Sequence, residues 1–126
     1  RLKHMAESKV MQAIAAHWKS LAPRVIEVPE WGDSPDSPLI IYGMPMNVAA
    51  SDKIFAAGKS SSFEMFVEAL IHLARDSEGK PLFTIADKPE LRRNALKDVI
   101  ERVGIQLIRA RDDGDVIPSA ADRLKN

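Results

Sequence analysis

The residues able to do chemistry are few and scattered. The 126-residue chain has no cysteine, which removes disulfides, thiolate nucleophiles and the usual zinc frameworks together. Its 3 histidines are His4, His17 and His72. None stands at i,i+4 from another, and neither His-Glu-x-x-His nor a carboxylate-rich loop accompanies them. His17, beside Trp18, reads as a surface or packing residue, and His72 as a solvent-face neighbour of Glu68. Ser60-Ser61-Ser62 lacks the Gly-x-Ser-x-Gly frame of a nucleophile elbow. Gly58-Lys59-Ser60 has the ending of a phosphate loop, but the earlier glycine of that pattern is replaced by Lys53. Asp112-Asp113-Gly114-Asp115 has no glutamate in register to close a calcium loop. The expectation is a non-enzymatic protein without catalytic, cofactor-binding or metal-binding residues.

What remains is architecture, and it is organised around Lys59–Asp87. Ser61 and Glu64 have capping-box spacing, in which serine accepts from an orphan backbone N–H and glutamate reaches back. Phe63, Phe66, Val67, Leu70, Ile71 and Ala74 follow as one broad apolar stripe, with Glu64, Glu68, His72 and Arg75 on the other side. Glu68 and His72 form an i,i+4 pair. Asp76-Ser77-Glu78-Gly79-Lys80-Pro81 ends the helix, and Leu82 and Phe83 are expected to pack beneath it. Gly79, Pro81, Leu82 and Phe83 are thus read as a structural turn.

Four further elements follow from periodicity. Val10, Met11, Ile14, Trp18 and Leu21 predict an amphipathic helix from about Ala6 to Ala22, stopped by Pro23. Trp18 there reads as a core or packing residue of a monomer. Val25 to Trp31 and Leu39 to Tyr42 predict a β-hairpin with a long, mobile tip, Pro29 marking an edge or bulge. Asn47 caps a short helix carrying Val48, Ile54 and Phe55, with Gly58 as its stop. Leu91, Ala95, Leu96, Val99, Ile100, Val103 and Leu107 predict one last helix, begun around Asp87, Pro89 and Glu90 and running to about Arg109. Gly104 within it marks a kink or a close backbone approach. The fold expected is mainly α (α+β), about four helices with one β-hairpin. Residues 6–111 read as a single domain, 1–5 as a vector-derived remnant and 112–126 as a flexible tail.

Composition narrows the function classes. Basic and acidic residues balance at 18 each and 45% of the chain is apolar, which opposes wholesale disorder and dedicated nucleic-acid or membrane-surface binding. No apolar run approaches the ~18 residues of a membrane span. The absence of cysteine fits a reducing compartment.

The motif Asp76-x-Glu78-Gly79-Lys80-Pro81-Leu82-Phe83-Thr84-x-x-Asp87, between a Phe/Leu-rich helix and a Leu-rich one, resembles the tail assembly chaperones of long-tailed bacteriophages. The likeness covers residues 24–108. It implies a non-enzymatic chaperone that binds the helical, aggregation-prone tape measure protein and helps recruit tail tube subunits. Such a protein acts in the host cytoplasm and is absent from the mature virion. The likeness also implies that this chain is the shorter product where a frameshift appends a tube-recruiting domain. Covering apolar helices reversibly without ATP requires exposed apolar surface. Trp18, Trp31, Met44 and Met46 are the candidate contact residues, although both methionines also suit core gaps.

Charge is unevenly spread. Residues 23–58 carry Glu27, Glu30, Asp33, Asp36 and Asp52 against Arg24 and Lys53. Residues 88–111 carry Lys88, Arg92, Arg93, Lys97, Arg102, Arg109 and Arg111 against Glu90, Asp98 and Glu101. This split predicts self-association, the acidic hairpin (Glu27, Glu30, Asp33, Asp36) of one copy docking on the basic helix (Arg92, Arg93, Lys97, Arg102) of the next. Two alternatives stand beside the chaperone reading: a structural tail component, and a small nucleic-acid-binding regulator that uses the same basic helix on phosphates.

Overall fold

The computed structural model describes residues 8–109. Residues 1–5, expected to be a remnant, the helix start before Ser8, Arg111, Asp112–Asp115 and the rest of the expected tail lie outside them. Two units are described separately: an N-terminal helix, and a body that begins at Pro23.

The N-terminal helix α1 spans Lys9–Ser20. Ser8 caps it by accepting a hydrogen bond from the Met11 amide at 3.1 Å. The amphipathic pattern therefore forms the helix it predicts, with one correction. None of its residues is buried, and Val10, Met11, Ile14 and Trp18 are all exposed, so Trp18 is not a core residue.

In the body, β1 (Arg24–Val28) and β2 (Leu39–Gly43) form the expected antiparallel hairpin, Ile26 opposite Ile41. Along β1, buried Arg24, Ile26 and Val28 alternate with exposed Val25 and Glu27, the period-two signature of a sheet wetted on one face. Pro29 leaves the ladder and opens a 3-10 turn, Pro29–Trp31, where its missing N–H is no loss. The Asp33 amide donates to the Ser37 carbonyl (3.1 Å) and the Ser37 amide to that of Ser34 (2.9 Å). Gly32 permits this closure, because a Cβ there would stand 2.1 Å from the Ser37 carbonyl oxygen.

Helix α2 (Val48–Ala57) starts at Asn47, whose side chain accepts from the Ala50 amide at 2.8 Å, and stops at Gly58. Ile54 is fully buried, whereas Val48 and Phe55 remain exposed. Helix α3 (Ser62–Leu73) buries Phe66, Val67, Ala69, Leu70 and Leu73. It runs directly into β3 (Ala74–Arg75), which pairs with β2 and completes a sheet of order β1-β2-β3. Helices α4 (Lys88–Asn94) and α5 (Lys97–Ile108) follow. The fold is mainly α with a small antiparallel sheet, containing five α-helices among the described residues.

The expected single last helix is divided. Ala95 and Leu96 are extended, and the Leu96 carbonyl accepts from the Val99 and Ile100 amides to start α5 afresh. A continuous apolar stripe conceals this break, because Leu91, Ala95 and Val99 keep helical spacing across it. Leu96 lies on the break and is exposed. In α5 the stripe Val99, Ile100, Val103, Gly104 and Leu107 is buried against α3. Gly104 marks a close approach of α3, the Phe66 Cβ standing 2.6 Å from where a Cβ would be. It makes room for Phe66, whose Cδ1 would lie 2.5 Å from a Cβ at that position. Each fully buried Leu, Ile or Val on these stripes contributes about 1.5–3 kcal/mol, so the α3–α5 contact anchors the body.

Candidate partner-binding surfaces

The turn after α3 positions the first surface. The Asp76 carboxylate accepts from the Glu78 and Lys80 amides at 2.8 and 2.9 Å, and these backbone bonds hold it below the ordinary aspartate range. Gly79 adopts a φ of 84°, open to glycine without steric penalty. Pro81 sits opposite Arg75 in an isolated bridge, and the Leu82 amide donates to the Ala74 carbonyl at 3.1 Å. The turn motif is thus a small closed hairpin, which drops Leu82 and Phe83 on the far side.

There the expectation needs correcting. Phe83 does not vanish beneath α3; it is half-buried and meets Trp31 edge to face, ring centroids 5.9 Å apart. Trp31, Leu39, Leu82, Phe83, Leu91 and Ala95 line a groove of about 390 Å³, with Glu90 and Asn94 at its rim. The turn and the hairpin, distant in sequence, together build this apolar concavity. A second groove of about 340 Å³ lies across α4, with Phe63, Phe66 and Ile100 as its apolar lining and Arg92, Lys97 and Glu101 around it.

Of the four expected contact residues, Trp31 lines the first groove. Met46 is half-buried against the core, the gap-filling role, and Met44 is half-buried, its amide donating to the Leu73 carbonyl at 2.8 Å. Trp18 belongs to a different surface, the stripe of α1. Residue spacing identified that stripe as a helix face but assigned it to the core, so Val10, Met11 and Ile14 were missed as surface.

The charged residues assigned to self-association are partly used within one chain. Arg102 makes a bidentate pair with Glu30 at 2.6 and 2.9 Å. That bond holds the Glu30 carboxyl below its ordinary range and raises Arg102. Arg93 pairs with Glu90 at 3.0 Å, and Arg92 with Glu64. Arg92 also lies over the Phe63 ring, 4.8 Å from its centroid. Glu27, Asp33, Asp36 and Lys97 are exposed.

Glu64 therefore does not close a capping box. Ser61 accepts from the Glu64 amide at 3.1 Å, while the Glu64 carboxylate faces Arg92 and Lys88 Nζ (3.6 Å). Lys88 also reaches Glu68 at 2.6 Å, and Glu68 bonds His72 at 3.1 Å. Burial pushes the Glu68 carboxyl up, but Lys88 and His72 outweigh it and its pKa is lowered; the bond to Glu68 raises Lys88. No three His, Asp or Glu side chains among the described residues converge to hold a metal, and no helix among them is long and apolar enough to cross a membrane.

Comparison of the chain with known protein families, characterised proteins and solved structures gave no match.

Proposed function

We propose that this chain is a tail assembly chaperone that binds a tape measure protein and helps bring tail tube subunits to it. The exposed stripe of α1 carries the reading. Val10, Met11, Ile14 and Trp18 are respectively 66, 51, 56 and 41% exposed, a concentration of apolar surface on one helix face. That is what a protein covering amphipathic helices without ATP requires. The Asp76–Asp87 motif and its flanking helices support the family assignment. The regulator alternative is weakened by the engagement of Arg92, Arg93 and Arg102 with carboxylates in the same chain, which reduces the charge left for phosphates.

Co-expression with a tape measure protein is expected to raise that protein's soluble yield. Ile14→Ser combined with Trp18→Ser should remove most of the gain while leaving the melting temperature unchanged. No gain with the unaltered chain sinks the chaperone reading. A full gain with the double variant moves binding to another surface, the Trp31–Phe83 groove being next. Persistence of the chain in purified virions would favour the structural-component alternative.

A further inference from the structure

Helix α4 differs from the elements around it in how it is held. Helices α3 and α5 each bury 5 residues, whereas α4 buries none; Leu91 and the following Ala95 are only half-covered. Its ends are articulated. Before it, a 3-10 turn (Ile85–Asp87) is closed by the Asp87 carboxylate accepting from the Thr84 amide at 2.8 Å; after it, Ala95 and Leu96 are extended. Across its inner side runs an ionic seam. Lys88 spans Glu68 and Glu64, and Arg92 takes the other side of Glu64. The two carboxylates are only 16 and 22% exposed, so they are screened less than open surface pairs.

The position of α4 gives the seam a consequence. The helix and its C-terminal neighbour form one wall of both grooves, contributing Leu91, Asn94 and Ala95 to the first and Arg92 and Ala95 to the second. We propose that α4 is a strap latched to α3 by Lys88 and Arg92 on Glu64 and Glu68, and that its release joins the two grooves into one apolar trough. The trough runs from Trp31 and Phe83 to Phe63 and Phe66. Opening requires the seam, the Arg92–Phe63 contact and the half-covered Leu91 and Ala95 to come away, while the α3–α5 contact persists. It belongs with the local openings that proteins undergo well below global unfolding. Charge, rather than apolar burial, sets its position, and salt or an anionic competitor for Lys88 shifts it.

Amide hydrogen exchange on the full chain, resolved by segment, tests this. At low salt, α4 amides should exchange faster than α3 amides. Raising salt to 1 M, or making Lys88→Gln, should accelerate α4 by up to about fivefold, with α3 and α5 unchanged. Lys80→Gln, which removes an exposed pair with Glu78 in the preceding turn, should leave α4 unaffected. If α4 and α3 exchange together at every salt concentration, or α4 is indifferent to both salt and Lys88→Gln, the strap does not exist. Should Lys88→Gln fail to fold, the salt series on the unaltered chain decides alone.

Discussion

Helices α1 and α3 are close counterparts by local criteria. Each is 12 residues long, each is capped by a serine accepting from an amide three residues on at 3.1 Å, and each carries an apolar stripe. Yet α3 buries 5 residues and α1 none. Periodicity determines that a face exists. Only the rest of the chain determines whether anything covers it. For α3 the cover comes from α5 and α2; α1 keeps its stripe exposed.

The strongest test of this contrast is to truncate one residue from each stripe. Leu70→Ala in α3 should destabilise the protein by about 2–5 kcal/mol, while Ile14→Ala in α1 should stay within about 0.5 kcal/mol, as read by urea unfolding. Equal losses would mean that the α1 stripe is covered in solution.

The cover over α3 can then be probed at its tightest point. Gly104→Ala gains about 1 kcal/mol of helix propensity but forces a methyl into Phe66, an overpacking worth up to about 3 kcal/mol. The net loss should be about 2 kcal/mol, smaller when Phe66→Leu is present in a double-mutant cycle. A stabilising Gly104→Ala would show that α3 and α5 are further apart.

Phe83 should respond between the two helices. Half-burial against Trp31 predicts a loss of about 1–2 kcal/mol for Phe83→Ala, below the ~3–5 expected of a fully buried phenylalanine. It should be non-additive with Trp31→Ala; strict additivity would separate the two rings.

The smallest effect concerns the polar side of α3. The Glu68 pKa is lowered from its ordinary value of 4.5, so its stabilisation is present above that pH and lost as pH falls through the folded-state value. Glu68→Gln should flatten the acid limb of the stability curve, by less than about 1 kcal/mol.

The caps at Ser61 and Asn47, the hairpin and the α3 and α5 stripes were legible because each depends on residues a few positions apart. The break at Ala95 was not, since Leu91, Ala95 and Val99 keep helical spacing through it. The third strand was hidden by its brevity: Ala74-Arg75 simply looks like the end of α3. Regional charge totals set Glu30 against Arg102 but placed their meeting between copies, whereas the two pair within one chain. For the candidate site, sequence identified Trp31 and Phe83 separately. Their junction depends on chain closure over a distance that no local pattern records.

The placement of β3 also has a consequence in time. During synthesis, β1 and β2 leave the ribosome as a hairpin well before Ala74 and Arg75, since α2 and α3 lie between them. Until those residues arrive, Tyr42 and Gly43 lack their β3 partners, and the β2 edge that β3 later shortens by those two residues is open to strand addition from neighbouring nascent chains. A two-residue strand thus acts as a late clasp. Ribosome-stalled chains ending before Ala74 should aggregate more readily than chains extended past Leu82.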